Sequence, residues 1–114
     1  MKCLACGGNL RSPGHDRKNL KNKLFVLRFR KCNCCDAGYE TREMFDCITE
    51  QTVSGPIRVT KANRCPLCDS KTIVQSTTPI NRGEVLRTRK CEKCGTEFGT
   101  IERVFLVLVP IEDT

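Results

Sequence analysis

The sequence predicts a small, mostly β fold held by something besides apolar burial. Three observations carry that expectation. Hydrophobic residues make up 39% of the 114, but ten of them are cysteine, with five Phe, one Tyr and no Trp. A single conventional core built from so little is marginal. Eight of the cysteines fall in four Cys-x-x-Cys pairs. The segments flanking those pairs alternate in side-chain character with the period-two rhythm of strands.

The pairs form two matched sets. Cys3-x-x-Cys6 precedes Cys32-x-x-Cys35 by 25 residues, and Cys65-x-x-Cys68 precedes Cys91-x-x-Cys94 by 22. Val26-Leu27-Arg28-Phe29-Arg30-Lys31-Cys32 matches Val85-Leu86-Arg87-Thr88-Arg89-Lys90-Cys91 at six of seven positions. After the second pair, Tyr39-Glu40-Thr41-Arg42-Glu43 aligns with Phe98-Gly99-Thr100-Ile101-Glu102, both reading aromatic-x-Thr-x-Glu. The chain therefore reads as a duplicated unit. Residues 1–50 are the first, 51–62 a linker containing the turn signal Ser54-Gly55-Pro56, and 63–114 the second, which ends in an apolar strand.

Taken in order, Arg11 to Lys23 reads as a loop and Leu24 to Lys31 as a strand, with Phe25, Leu27 and Phe29 alternating against Val26, Arg28 and Arg30. Tyr39 to Phe45 reads as the next strand. In the second unit Pro79 to Glu84 reads as a short loop, Val85 to Lys90 as a strand, and Phe98 to Val109 as the last strand. The run Phe105 to Val109 is apolar without alternation, so it is expected to be buried on both faces, between the units or in a dimer. Tyr39 and Phe98 are expected to pack in the core. Helical periodicity is lacking, with at most a short turn near Asn63 or Ile48.

Two Cys-x-x-Cys turns can grip one tetrahedral ion with four thiolates, and zinc places no geometric demand of its own on them. The expected ligands are Cys3, Cys6, Cys32 and Cys35 for one structural Zn2+, and Cys65, Cys68, Cys91 and Cys94 for a second. Gly7 and Gly95, each directly after a pair, suit the positive φ such a turn needs. Zinc would supply the missing folding energy, about 10–16 kcal/mol apparent per small site. A thioredoxin-type redox motif needs a βαβ setting, which the pattern lacks. Four sulfur ligands per site leave no open position for catalysis. Cys34 corresponds to Lys93 in the repeat and is not expected as a ligand, Cys47 reads as a small buried hydrophobe, and His15 reads as a surface residue.

Cys65-Pro-x-Cys68, Ile73-Val74-x-Ser76, Arg87-Thr88-Arg89-Lys90-Cys91-x-x-Cys94-Gly95 and Phe98-x-Thr100-x-Glu102 resemble the N-terminal zinc ribbon of the bacterial ribonucleotide-reductase repressor NrdR. The same order of features resembles the Ogr/Delta late-transcription activators of temperate phages. The resemblance covers about 45 residues of the second unit and, more loosely, the first. It implies two tandem zinc ribbons and DNA binding in transcription control. The repressor continues into a nucleotide-binding domain that the matched residues do not include, and the phage activators usually space their second pair more widely, so the resemblance implies neither nucleotide sensing nor a promoter.

The charge agrees with a polyanionic partner. Twenty Lys and Arg against thirteen Asp and Glu leave +7, shared between the halves. Side chains two apart on a strand share a face. Arg28 with Arg30, and Arg87 with Arg89, are thus expected to form a cationic edge, with Lys31 and Lys90 beside the metal turns and Lys18, Lys21 and Lys23 in the first loop adding phosphate contacts. Double-stranded DNA is the expected partner, with RNA polymerase and a homodimer through the C-terminal strand as further ones. The expected function is a phage or bacterial DNA-binding transcription regulator. Its alternative is a protein-interaction module that inhibits or retargets a host enzyme such as RNA polymerase without reading DNA. Glu43 and Glu102 lack a paired carboxylate or nucleophile pattern, so they read as structural hydrogen-bonding groups and the chain as no enzyme. Met1-Lys2-Cys3 shows no apolar leader, which suits a cytoplasmic protein, in a bacterial cell or phage-infected host.

Overall fold

A computed structural model describes residues 1–11 and 24–108. It contains six strands: β1 (Leu10–Arg11), β2 (Val26–Cys32), β3 (Gly38–Glu50), β4 (Thr72–Asn81), β5 (Glu84–Cys91) and β6 (Glu97–Leu108). Among the described residues there is no helix. The fold is thus small and mostly β, as the alternation requires. The second unit's strands lie close to their expected bounds, and β3 runs five residues past Phe45.

All six strands join one antiparallel sheet in the order β1-β2-β3-β6-β5-β4. Each unit contributes three neighbouring strands. The units meet where β3 pairs with its repeat equivalent β6, so they are not beads on a linker. Glu43 pairs with Glu102 at the middle of that seam, flanked by Arg42 with Arg103 and Met44 with Ile101. Residues of one unit face their counterparts of the other in reverse order, so the seam has a local two-fold symmetry about the glutamate pair. Three irregularities in register follow, at Glu40/Thr41, Phe45/Cys47 and Ile48/Glu50.

The sheet has two unlike faces. One carries Tyr39, Thr41, Glu43, Phe98, Thr100 and Glu102, all buried. Phe45 packs its ring against Phe98 at a centroid distance of 6.0 Å. The other face carries Glu40, Arg42, Met44, Ile101 and Arg103, all half-buried or exposed. The period-two pattern in β3 is the physical origin of this split.

The units also interlock at their ends. The Gly83 amide donates to the Lys2 carbonyl (2.9 Å), and Val104 donates to the Gly83 carbonyl (2.9 Å). A side chain at Gly83 would meet Val104 and Leu4 at 3.0 Å or less, and its φ is +71°. Only glycine allows this turn to sit against the first unit. At the opposite end the Ala62 amide donates to the Leu24 carbonyl (2.8 Å).

Three sequence expectations need correction. Pro79 to Asn81 belongs to β4, and the connection to β5 shrinks to the Arg82–Gly83 turn. An edge strand tolerates proline because one side needs no ladder donor, and β4 is the edge. Cys47 is exposed rather than buried, because the irregularity around Asp46 turns it to the open face opposite Gly99. Phe105, Leu106 and Val107 form the end of β6 but are 58%, 48% and 46% exposed, since beyond Val104 that strand pairs with β3 alone. Ile48 lies within β3, whereas Asn63 does sit in a turn.

Candidate metal centres and the charge cluster between them

Each centre is built from four cysteines brought together by the ends of strands. The sulfurs of Cys3, Cys6, Cys32 and Cys35 all lie within 4.8 Å of one another, as do those of Cys65, Cys68, Cys91 and Cys94. In the first set Cys3–Cys35 is 3.7 Å and Cys6–Cys32 is 3.5 Å. In the second Cys65–Cys94 is 3.6 Å, Cys68–Cys91 3.4 Å and Cys68–Cys94 3.8 Å. A tetrahedron with metal–sulfur bonds of about 2.3 Å has edges of about 3.8 Å. Both sets therefore have the shape of a four-thiolate metal site.

The backbone makes the same turn at all four pairs. The amide of the first cysteine bonds the carbonyl five residues on, as in Cys3 to Gly8 (2.8 Å) and Cys91 to Thr96 (2.9 Å). The residue after each pair has positive φ: Gly7 (77°), Asp36 (65°), Asp69 (61°) and Gly95 (79°). The two expected glycines are thus confirmed, and two aspartates share their role. Amides then point at sulfur, with Ala5 donating to Cys3 (3.3 Å), Leu67 to Cys65 (3.4 Å), and Lys93 and Cys94 to Cys91 (3.3 Å each). Such donors stabilise thiolate. The first cysteine of each pair is buried, and the second is exposed or half-buried at the turn apex.

The centres differ in their surrounding hydroxyls. The Tyr39 hydroxyl lies 3.0 Å from the Cys3 sulfur. Burial pushes the Cys3 thiol up, but Tyr39 and the turn amides outweigh it and bring it down to about 6. Phe98 stands at the equivalent position of the second unit and has no hydroxyl to offer. There Thr96 lies 3.2 Å from Cys94 and Ser70 3.3 Å from Cys68. Burial raises Cys94, and Thr96 overrides it, again to about 6. Burial pushes Cys65 up to about 12, helped by the nearby Cys94 and Cys68 thiols. In each set, hydrogen bonds from a hydroxyl and from the turn amides favour the thiolate, the form that a cation takes as ligand.

Between the centres lies a cluster that sequence reasoning missed. Arg89 donates two hydrogen bonds to Glu43 (2.9 and 3.0 Å), and Arg30 donates two to Glu102 (2.8 and 3.0 Å). Thr100 donates to Glu43 and Thr41 to Glu102. Arg28 lies 2.8 Å from Glu43, and Arg87 lies 2.7 Å from Glu102, although Arg87 Nη1 is outside hydrogen-bond geometry. Both carboxylates are fully buried, and the four arginine side chains are only 7–23% exposed. The expected open cationic edge is therefore replaced by an ion-pair cluster on the covered face. Burial raises Glu102, but Arg30 and Thr41 hold it down at about 2. Each unit carries its own Thr-x-Glu and Arg-x-Arg, but only the pairing of β3 with β6 brings each carboxylate to the arginines of the other unit.

Of the other expected nucleic-acid residues, Lys31 and Lys90 do flank the metal turns, and Lys31 lies 3.6 Å from Asp36. Lys18, Lys21, Lys23 and His15 fall outside the described residues. Among the described residues, no helix is long and apolar enough to cross a membrane. No family model matches the chain, and no curated protein or solved structure does either.

Proposed function

We propose that the chain is a zinc-dependent DNA-binding transcription regulator whose two ribbons act as one rigid reader. The supporting observation is a duplicated pair of cations at each metal turn. Lys2 and Arg64 are repeat equivalents, both exposed, each in a β-bridge that closes its turn, Lys2 with Asn9 and Arg64 with Lys71. Lys31 and Lys90 are also equivalents, each directly before the first cysteine of a pair. With the strand arginines committed to glutamate, these four become the contacts suited to phosphate.

Their placement adds geometry. The first metal turn adjoins Gly38 of the pair Gly38–Leu108, and the second adjoins Glu97 of the pair Glu50–Glu97. About ten paired steps at about 3.4 Å separate these ends, roughly 34 Å. One turn of duplex spans about 34–36 Å, so two similar cationic ends suit two successive contacts on one side of DNA. Zinc suits both centres through the all-thiolate donor set and the sulfur spacing. The likeness to phage and bacterial regulators noted above favours a promoter as the target, in a bacterial cytoplasm, with RNA polymerase nearby.

A second reading is a module that docks on a host enzyme such as polymerase without touching DNA. It is favoured by a cleft of about 380 Å³ beside the second centre, lined by Pro56, Arg58, Thr60, Pro66, Leu67 and Asp69.

Binding of the zinc-loaded protein to a random duplex library across a salt series separates the two. Wild type is compared with Lys2→Ala, Arg64→Ala, Lys31→Ala and Lys90→Ala combined. The DNA reading expects retention that weakens with salt, with a slope reduced by about one per phosphate contact removed. Equal, negligible retention by both folded proteins ends that reading, and polymerase capture then tests the second.

A further inference from the structure

We infer that the open face of the sheet is a homodimer interface, with a second copy of this chain as its occupant. A sheet buries its apolar side against another layer. Here the ion-pair cluster and the metal turns fill one face, and no strand packs on the other, since the contacts between strands run between sheet neighbours; Val59 of the joining segment reaches its margin beside Phe25 and Met44. Yet that face is apolar at its centre. Leu27, Phe29, Leu86 and Ile101 are half-buried on it, while Met44 and Phe105 are 42% and 58% exposed. The Arg42 guanidinium lies 3.4 Å from the Phe105 ring centroid and 4.4 Å from that of Phe25, which holds both rings against the sheet.

Charge selects the occupant. The molecule carries +7, so two copies repel wherever their surface excess meets. The central part of the open face has no excess. Its two arginines are each paired on the face itself, Arg42 with Glu40 (3.4 Å) and Arg103 with Glu84. Lys31 and Lys90 stand at its two ends, beyond the apolar centre. A polyanion gains nothing from a neutral patch, whereas a like-charged copy can approach there without like-charge repulsion.

The area is adequate. Four to six strands about 4.8 Å apart and eight residues of about 3.4 Å rise give roughly 500–800 Å² of projected surface. A standard interface takes about 800 Å² of accessible surface per partner, and side-chain relief raises the projected figure toward it. Stacked sheets keep about 10 Å between them, which the half-exposed Met44 and Phe105 side chains can fill. The inference does not depend on whether the protein reads DNA.

Sedimentation of the zinc-loaded full chain from low to high micromolar concentration tests it, with Met44→Glu, Phe105→Glu and Ile57→Glu alongside. Ile57 is 55% exposed and lies in the segment between the units, outside the strands of the sheet. Cobalt substitution verifies that every variant keeps two tetrathiolate centres. The expected result is twice the 12.9 kDa chain mass for wild type and Ile57→Glu. Both face variants should dissociate at least tenfold more readily. As a readout without mutation, alkylation of Cys47, on the same face, should slow as wild type is concentrated, while that of Cys34, at the first metal turn, should not. A wild type that stays monomeric throughout overturns the proposal, as does a dimer that survives both face variants with cobalt centres intact.

Discussion

Glu43 and Glu102 stand opposite each other at the centre of the β3–β6 seam, and each is held mainly by the other unit. Glu43 of the first unit takes its two-pronged contact from Arg89 and its hydroxyl contact from Thr100, both of the second. Glu102 takes the same contacts from Arg30 and Thr41 of the first. Two like charges would otherwise repel across the seam. Four surrounding guanidiniums reverse the sign of the local field, and the exchange of partners ties the units together.

Removing one carboxylate should therefore cost far more than an average surface change. Glu43→Ala leaves Arg89 and Arg28 facing each other with one glutamate between four arginines. Loss of one partner of a buried pair costs about 3–5 kcal/mol. Denaturant unfolding at saturating zinc should show a loss of that order, and Glu43→Gln, which keeps the shape but not the charge, should also destabilise. A loss under about 1 kcal/mol, the level of an exposed ion pair, would show that the cluster is solvated in solution.

The depressed Glu102 carboxyl sets a pH window. Its value is near 2 in the folded chain against about 4.3 for an unperturbed glutamate. A carboxyl lowered on folding stabilises the fold fully above its unfolded value, and the contribution fades as pH falls toward the folded one. Carboxyl carbon NMR should show Glu102 staying ionised through the ordinary glutamate range and protonating only at about 2. Titration of Glu102 within the ordinary range would place it outside its arginine cage.

Much of the metal architecture was legible because it is local. A Cys-x-x-Cys turn, a glycine behind it and a strand on either side are written in consecutive residues, as at Cys91 to Phe98. What the sequence did not reveal lies in the pairing between strands. Arg28 and Arg30 look the same whether they meet water or a carboxylate, and only the register that brings Glu102 across from Glu43 decides. The Pro79 to Glu84 segment misleads for a related reason. Its proline and glycine signal a loop, but Pro79 to Asn81 pairs with β5 at a sheet edge, where one side needs no ladder donor. Cys47 was misplaced by one irregularity in register that spacing does not announce.

Tyr39 gives a test of the first metal centre that leaves packing intact. Phe98 already fills the equivalent space in the second unit, so Tyr39→Phe should fit and remove only the hydroxyl beside Cys3. Partners of metal ligands contribute about 10- to 100-fold in affinity. Competition with a chelator should release one of two metal ions at least tenfold earlier than in wild type, the second being unaffected. Complete chelation should unfold the chain, since each small site is worth about 10 kcal/mol or more of folding energy. Retention of native NMR dispersion after both ions are removed would show that the sheet stands without them.

The exchanged glutamate contacts predict how the chain behaves when cut. A chain split between Gly55 and Pro56 separates β1–β3 from β4–β6 and cuts no strand. The half spanning 1–55 would keep Glu43 with Arg28 but lose Arg89 and Thr100, and would expose the whole edge of β3. The half spanning 56–114 would lose Arg30 and Thr41 from Glu102 in the same way. Each half retains the four cysteines of its metal group, so metal turns can still form. Zinc-loaded halves alone should lack the native sheet signature, and mixing them should restore it as a one-to-one complex, seen by amide exchange protection along β3 and β6. The contrary result, two separately folded monomers that ignore each other, would mean that the β3–β6 seam and its glutamate pair are not what holds the units together.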